Sequence, residues 1–168
     1  MSEQRPDRGG AVDWRGRLDP QYAPRRDGEP DPGEVVWAWV PFEEDPTQGK
    51  DRPIVVIGRD ADDPALLVAL MLSSKQHDGD PDWFALGAGA WDADHRPSWV
   101  RLDRTLAVTE DAVRREGAAL PQQLFLAVVE HAVARDRART HRPVPPPPAP
   151  AATRTLRDRL RSIFRRSG

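Results

Sequence analysis

A chain of 168 residues without cysteine is expected to hold one modest core and excludes disulfides, thiolate nucleophiles and thiolate-bound metals. It has no long apolar run and no hydrophobic signal region in MSEQRPDRGG, so the expectation is a cytoplasmic protein without stable membrane insertion. The formal net charge of −2 hides an asymmetry: residues 135–168 hold ten arginines against Asp136 and Asp158, a balance of +8, which leaves −10 on the preceding 134 residues. An acidic body weighs against nucleic-acid binding, because affinity for phosphate comes from Lys and Arg.

Residues 1–32 are rich in Pro, Gly, Asp and Arg and show no period, the pattern of a disordered N-terminal arm. Trp14 and Tyr22 stand out there as isolated apolar anchors, for the folded body or for a partner. Residues 33–60 read as strand, polar loop, strand. Val36, Ala38 and Val40 alternate with Val35, Trp37 and Trp39, the period of a half-buried strand. PFEEDPTQGKD has the composition of a loop, which Arg52 closes. Pro53 and the unbroken run IVVI then predict a strand buried on both faces.

DADDP is a turn, and residues 65–72 (ALLVALML) predict a third buried strand that ends in Ser73, Ser74 and Lys75. A polar loop leads to a short strand over 83–86, followed by the long loop GAGAWDADHRP. Residues 98–106 read as a strand pair. Arg101 and Asp103 are two apart and share one face, with Val100 and Leu102 on the other. Thr109 is placed to cap a short helix that Gly117 ends. Pro121 opens a longer helix, in which Leu124, Phe125, Val128, Val129, Ala132 and Val133 form one apolar face. That helix fades in ARDRART. Residues 139–152 form a Pro-rich linker, and 153–168 an amphipathic helix with Leu156, Leu160, Ile163 and Phe164 on one stripe among arginines. A partner protein, a nucleic acid or an anionic membrane surface would each suit that helix.

Gly33-Glu34-Val35-Val36-Trp37, then Gly49-Lys50-Asp51-Arg52-Pro53 and the apolar run 54–57, resemble the opening signature of the PemK/MazF family, the toxin half of bacterial type II toxin–antitoxin pairs. Arg101 and Asp103 resemble the R-x-D element of its PemK branch, and the resemblance extends over residues 31–134. The fold it implies is α+β and mainly β: a small SH3-like barrel over 33–138 with a packed C-terminal helix, usually dimeric. The activity it implies is that of a sequence-selective, metal-independent endoribonuclease without cofactors. Such an enzyme cuts single-stranded mRNA through a 2′,3′-cyclic phosphate and is neutralised by a cognate antitoxin. Toxin and antitoxin together can bind operator DNA.

Metal-free RNA cleavage needs a base, an acid and cationic donors around one phosphodiester. Arg52 is the candidate phosphate donor, since its fork matches two phosphate oxygens. Ser73 is the candidate hydroxyl donor, and Ser74, Lys50, Lys75 and His77 are candidates for holding substrate. Asp103, by match to the PemK branch, is the candidate base, with Arg101 stabilising charge beside it. A carboxylate with a free pKa of about 3.9 is a weak base, and Arg101 would weaken it further. His77 and His95 would be better proton shuttles. Trp37, Trp83, Trp91 and Trp99 suit either base stacking or the core. The alternative to an enzyme is a non-catalytic SH3-like module that binds a protein or DNA. No phosphate-cradling GxxxxGK[ST] and no nucleophile elbow are present.

Overall fold

The computed structural model describes residues 3–4, 9–115 and 117–141. Nine antiparallel strands form a strongly bent half-barrel: β1 (Glu3–Gln4), β2 (Val12–Asp13), β3 (Leu18–Pro20), β4 (Val35–Pro41), β5 (Gln48–Asp60), β6 (Leu67–Ser73), β7 (Trp83–Gly87), β8 (Ser98–Val108) and β9 (Val113–Arg115). One helix, α1 (Gln122–Thr140), follows. The sheet order is β2-β8-β6-β5-β4-β9, with β1 and β3 on β5 and β7 on β8. This is the mainly β α+β fold expected from the sequence.

Two long strands make the bend by exchanging partners. β5 pairs with β4 from Gly49 to Val55, then with β3 from Gly58 to Asp60. A one-residue bulge between Val56 and Gly58 marks the change. Gly58 permits it, because a Cβ there would stand 2.1 Å from the Asp19 carbonyl oxygen. In β8 the break is larger. The strand advances from Val100 to Thr105 while β6 steps only from Leu72 to Leu70. Residues 101–104 therefore arch out of the ladder with β6, while β7 pairs with the preceding part of β8, from Ser98 to Arg101 at the start of the arch.

Alternation buries both faces of the central strands. Val36, Ala38, Val40, Ile54, Val56, Leu67, Ala69 and Met71 form one apolar cluster with Leu106 and Val108. Val35, Val55, Ile57, Val68, Leu70, Leu72, Val100 and Leu102 form the other, against Phe125, Val128 and Ala132 of α1. The run IVVI is thus buried on both sides, as its unbroken hydrophobicity predicts. α1 begins one residue after Pro121 and continues through ARDRART to Thr140, beyond the point where its apolar face fades.

Four expectations need correction. The disordered arm does not hold over 9–32: β2 pairs with β8 and β3 with β5, and Trp14, Leu18 and Tyr22 pack on the cluster under α1. Its tethers are long-range: Trp14 Nε1 donates to Asp60 Oδ2 at 2.6 Å, Arg17 pairs with Asp62, and Tyr22 donates to the Leu120 carbonyl at 2.7 Å. The first loop is only Phe42 to Thr47. Asp45 closes it by accepting from the Thr47 amide and hydroxyl, so Gly49, Lys50, Asp51 and Arg52 are already strand. The strand pair over 98–106 is one strand with an arch. The short helix at Thr109 is a single 3-10 turn, Glu110–Ala112, without a side-chain cap. The Pro-rich linker beyond residue 141 and the basic amphipathic helix lie outside the described residues.

Candidate active site

Arg52 lies opposite Ala38 in the β4–β5 ladder, at the floor of a cavity of about 440 Å³. Lys50, Ser73, Ser74, Lys75 and His77 line the same cavity, with Trp37, Trp83 and Trp91 as aromatic walls. Six of the eight candidate residues are therefore brought together by two neighbouring segments, 50–53 and 71–77. Arg101 and Asp103 line a second cavity, of about 770 Å³, between the arch of β8, the N-terminal segment and α1. Asp103 does not share the concavity of Arg52 and Ser73.

Ser73 ends β6. Its Oγ accepts the Lys75 amide at 3.1 Å, which turns the chain, and lies 3.4 Å from His77 Nε2. The His77 ring stacks on Trp83 with centroids 3.6 Å apart and planes 5° from parallel. His95 lies elsewhere, in the long loop, with φ of 51° and its Nδ1 3.3 Å from the Gly89 carbonyl oxygen.

The charges divide into paired and unpaired. Arg101 grips Asp103 through two hydrogen bonds, 2.6 and 3.1 Å, and reaches Glu43 at 2.9 Å. Arg104 is buried and donates to Asp13 at 2.7 Å and to the Pro41 carbonyl at 2.9 Å. Asp51 is taken by Arg114 at 2.8 Å and Asp92 by Arg96 at 3.0 Å. Among the described residues no carboxylate pairs with Arg52. Its guanidinium is held below the ordinary arginine value by burial first, and then by repulsion from Arg104 and Arg101. A half-buried cation facing two like charges, with no counter-ion among the described residues, is a site for an anion.

Asp103 is in the opposite state. Burial raises its carboxyl, but the Arg101 hydrogen bonds and charge, with a contribution from Arg139, outweigh this and leave it below the usual carboxylate range. Arg101 is raised in turn, chiefly by its hydrogen bond to Asp103. Such a carboxylate holds an arginine in place better than it accepts a proton.

Arg104, Glu43 and Arg139 belong to this charge system and were not singled out in the sequence. Arg139 donates to the Asp103 carbonyl oxygen, and Glu43 also lies within ion-pair reach of Arg104. Arg104 left a readable trace: it holds the same parity as Val100 and Leu102, a charge where the period asks for a hydrophobe.

The profile of PemK-like, MazF-like toxins of type II toxin–antitoxin systems matches residues 31–134, and the chain belongs to this family. The matched span carries the candidate residues of both cavities and leaves out most of the N-terminal segment. No curated protein matches the chain by sequence. The fold is similar to an endoribonuclease from a mycobacterial species in complex with its cognate antitoxin (14% identity, 62% of this chain and 92% of that chain, TM-score 0.49). It is also similar to MazF of the MazE–MazF structure from Deinococcus radiodurans (21% identity, 69% and 100%, TM-score 0.46). A third likeness is to the Mycobacterium tuberculosis toxin MazF-mt6 (14% identity, 62% and 96%, TM-score 0.44).

Proposed function

We propose that this family member is an endoribonuclease toxin that cuts single-stranded mRNA at selected sequences without a metal ion, and that a small antitoxin neutralises it. The observation that carries the reading is Arg52, a cation with no carboxylate partner among the described residues, in a cavity with a hydroxyl, an imidazole and two lysines. The guanidinium holds the non-bridging oxygens of the scissile phosphate. Ser73 donates a hydrogen bond to the same phosphate, and Lys50, Ser74 and Lys75 hold the flanking backbone. His77 accepts the proton of the ribose 2′-OH as that oxygen attacks phosphorus. The 5′-oxygen departs and takes a proton from solvent, leaving a 2′,3′-cyclic phosphate and a 5′-OH. Asp103 is a positioning residue, which fixes Arg101 beside the cluster. The stacked His77–Trp83 pair offers an aromatic face to an unpaired base.

The working form in this reading is a homodimer, and toxin and antitoxin together can bind operator DNA. Among the described residues no helix is long and apolar enough to cross a membrane.

One observation favours the non-catalytic alternative, a half-barrel that only docks a protein or DNA. The cavity carboxylates Asp51 and Asp92 are both ion-paired, and Asp103 faces the other cavity. Full-length protein incubated with a long single-stranded mRNA in excess EDTA separates the two. Fragments with 5′-OH ends, strongly reduced in His77→Ala, are expected. Intact RNA at every protein ratio would leave only the binding module.

A further inference from the structure

Lys50 and Lys75 are the only lysines in a chain with 25 basic residues, and both line the Arg52 cavity. Every other cation is an arginine, which resists acylation and keeps its charge. Lys50 is an exposed residue of β5, two positions before Arg52. Lys75 is exposed in the turn after β6, where its amide is fixed on Ser73 Oγ. The two amines thus approach one anion site from two strands, and they are the only side-chain amines in the sequence.

We infer that the cavity is a self-acylation site: a small acyl phosphate docks its phosphate on Arg52 and transfers its acyl group to Lys50 or Lys75, which switches the site off. The unprotonated ε-amine attacks the acyl carbon, and a C–N bond forms as the C–O bond to phosphate breaks. The surplus amine proton passes to the departing phosphate, and the site is left with a neutral amide. The arginines around the cavity supply the grip for the leaving group, as they would for an RNA phosphate. Each acylation removes one positive charge from the place where single-stranded nucleic acid is held. The inference rests on the anion-binding half of the proposed function and is independent of whether RNA is cut.

The test uses full-length protein, acetyl phosphate and peptide mass spectrometry. Acetyl groups are expected on Lys50 and Lys75, with inorganic phosphate slowing their addition about tenfold, the worth of a displaced charge-assisted hydrogen-bond pair. Arg52→Ala is expected to slow it comparably. Acetic anhydride, which carries no phosphate to dock, is expected to label both lysines with no protection by phosphate. Acetylated protein is expected to bind a non-cleavable single-stranded oligonucleotide more weakly, with a salt slope shallower by about 1.4 for two lost cations. In Lys50→Arg/Lys75→Arg the ratio of treated to untreated affinity is expected to stay near one. Labelling by acetyl phosphate that is indifferent to inorganic phosphate would overturn the inference, even if Arg52→Ala failed to fold. RNA that stays intact beside phosphate-protected labelling would refute the nuclease and leave this site standing.

Discussion

Replacing Arg52 and Arg104 separately by Met should move stability in opposite directions. Arg52 has no carboxylate partner among the described residues, and its charge is disfavoured by burial and by two neighbouring arginines. Arg52→Met removes that repulsion, keeps most of the side-chain volume and is expected to stabilise the fold by about 1 kcal/mol. Arg104 is 8% exposed and makes hydrogen bonds to Asp13 and Pro41. Arg104→Met strands these acceptors. Its cost is about 2 to 3 kcal/mol, below the usual figure for a broken buried pair because the Asp13 side chain is 62% exposed. At about 4 °C per kcal/mol for a domain of this size, the midpoints should separate by roughly 12 to 16 °C. Thermal unfolding in phosphate-free buffer reads both. Added phosphate should raise the wild-type midpoint and leave that of Arg52→Met where it is. An Arg52→Met midpoint that falls alongside that of Arg104→Met would refute the reasoning, because Arg52 would then be a structural cation with a partner.

Asp103 has a folded-state pKa below its unfolded value, so the stability from its Arg101 pair is fully present above about pH 3.9 and lost as pH falls through the folded value. Urea titrations should show wild type ahead of Asp103→Asn at pH 6, with the gap closing below pH 4; a gap independent of pH would contradict the assignment. Gly58→Ala places a methyl group 2.1 Å from the Asp19 carbonyl and should cost about 2 to 3 kcal/mol by displacing β3, whereas a change under 0.5 kcal/mol would show that the β3–β5 pairing is dispensable. The amides of Ala11 and Trp14, bonded to the Trp39 and Thr105 carbonyls, should exchange with deuterium far more slowly than free amides. Trp14→Phe, which removes the bond to Asp60, should speed that exchange severalfold.

The central strands were legible because their signal is local. The unbroken run 54–57 names a strand and its burial without help from distant residues, whereas alternation over 35–40 names the strand but not its burial: the half-buried strand expected there is buried on both faces, Val35 and Trp39 as well as Val36, Ala38 and Val40. The Arg52 cavity was legible for the same reason: Gly49 to Pro53 and Ser73 to Lys75 are short motifs at strand ends, and adjacent strands β5 and β6 bring them together. What stayed hidden is non-local. The segment 9–32 has the composition of a loose arm, yet Trp14 is tied to Asp60 and Tyr22 to Leu120. Only the four-residue spacing of Trp14, Leu18 and Tyr22 hinted at a surface to lie on. Asp103 was grouped with Arg52 by motif, and the arch of β8 turns it toward α1 instead. A two-residue period shows that Arg101 and Asp103 share a face, but not which cavity that face meets once the strand leaves its ladder.

The grip of Arg52 on phosphate is most directly measured by the affinity of a non-cleavable single-stranded oligonucleotide across a salt series, for wild type and Arg52→Ala. Loss of one phosphate contact should weaken binding at low salt and reduce the slope of log affinity against log salt by about 0.7. Equal affinities and equal slopes for the two proteins would mean that the unpaired guanidinium holds no phosphate, and the proposed site would fail with it.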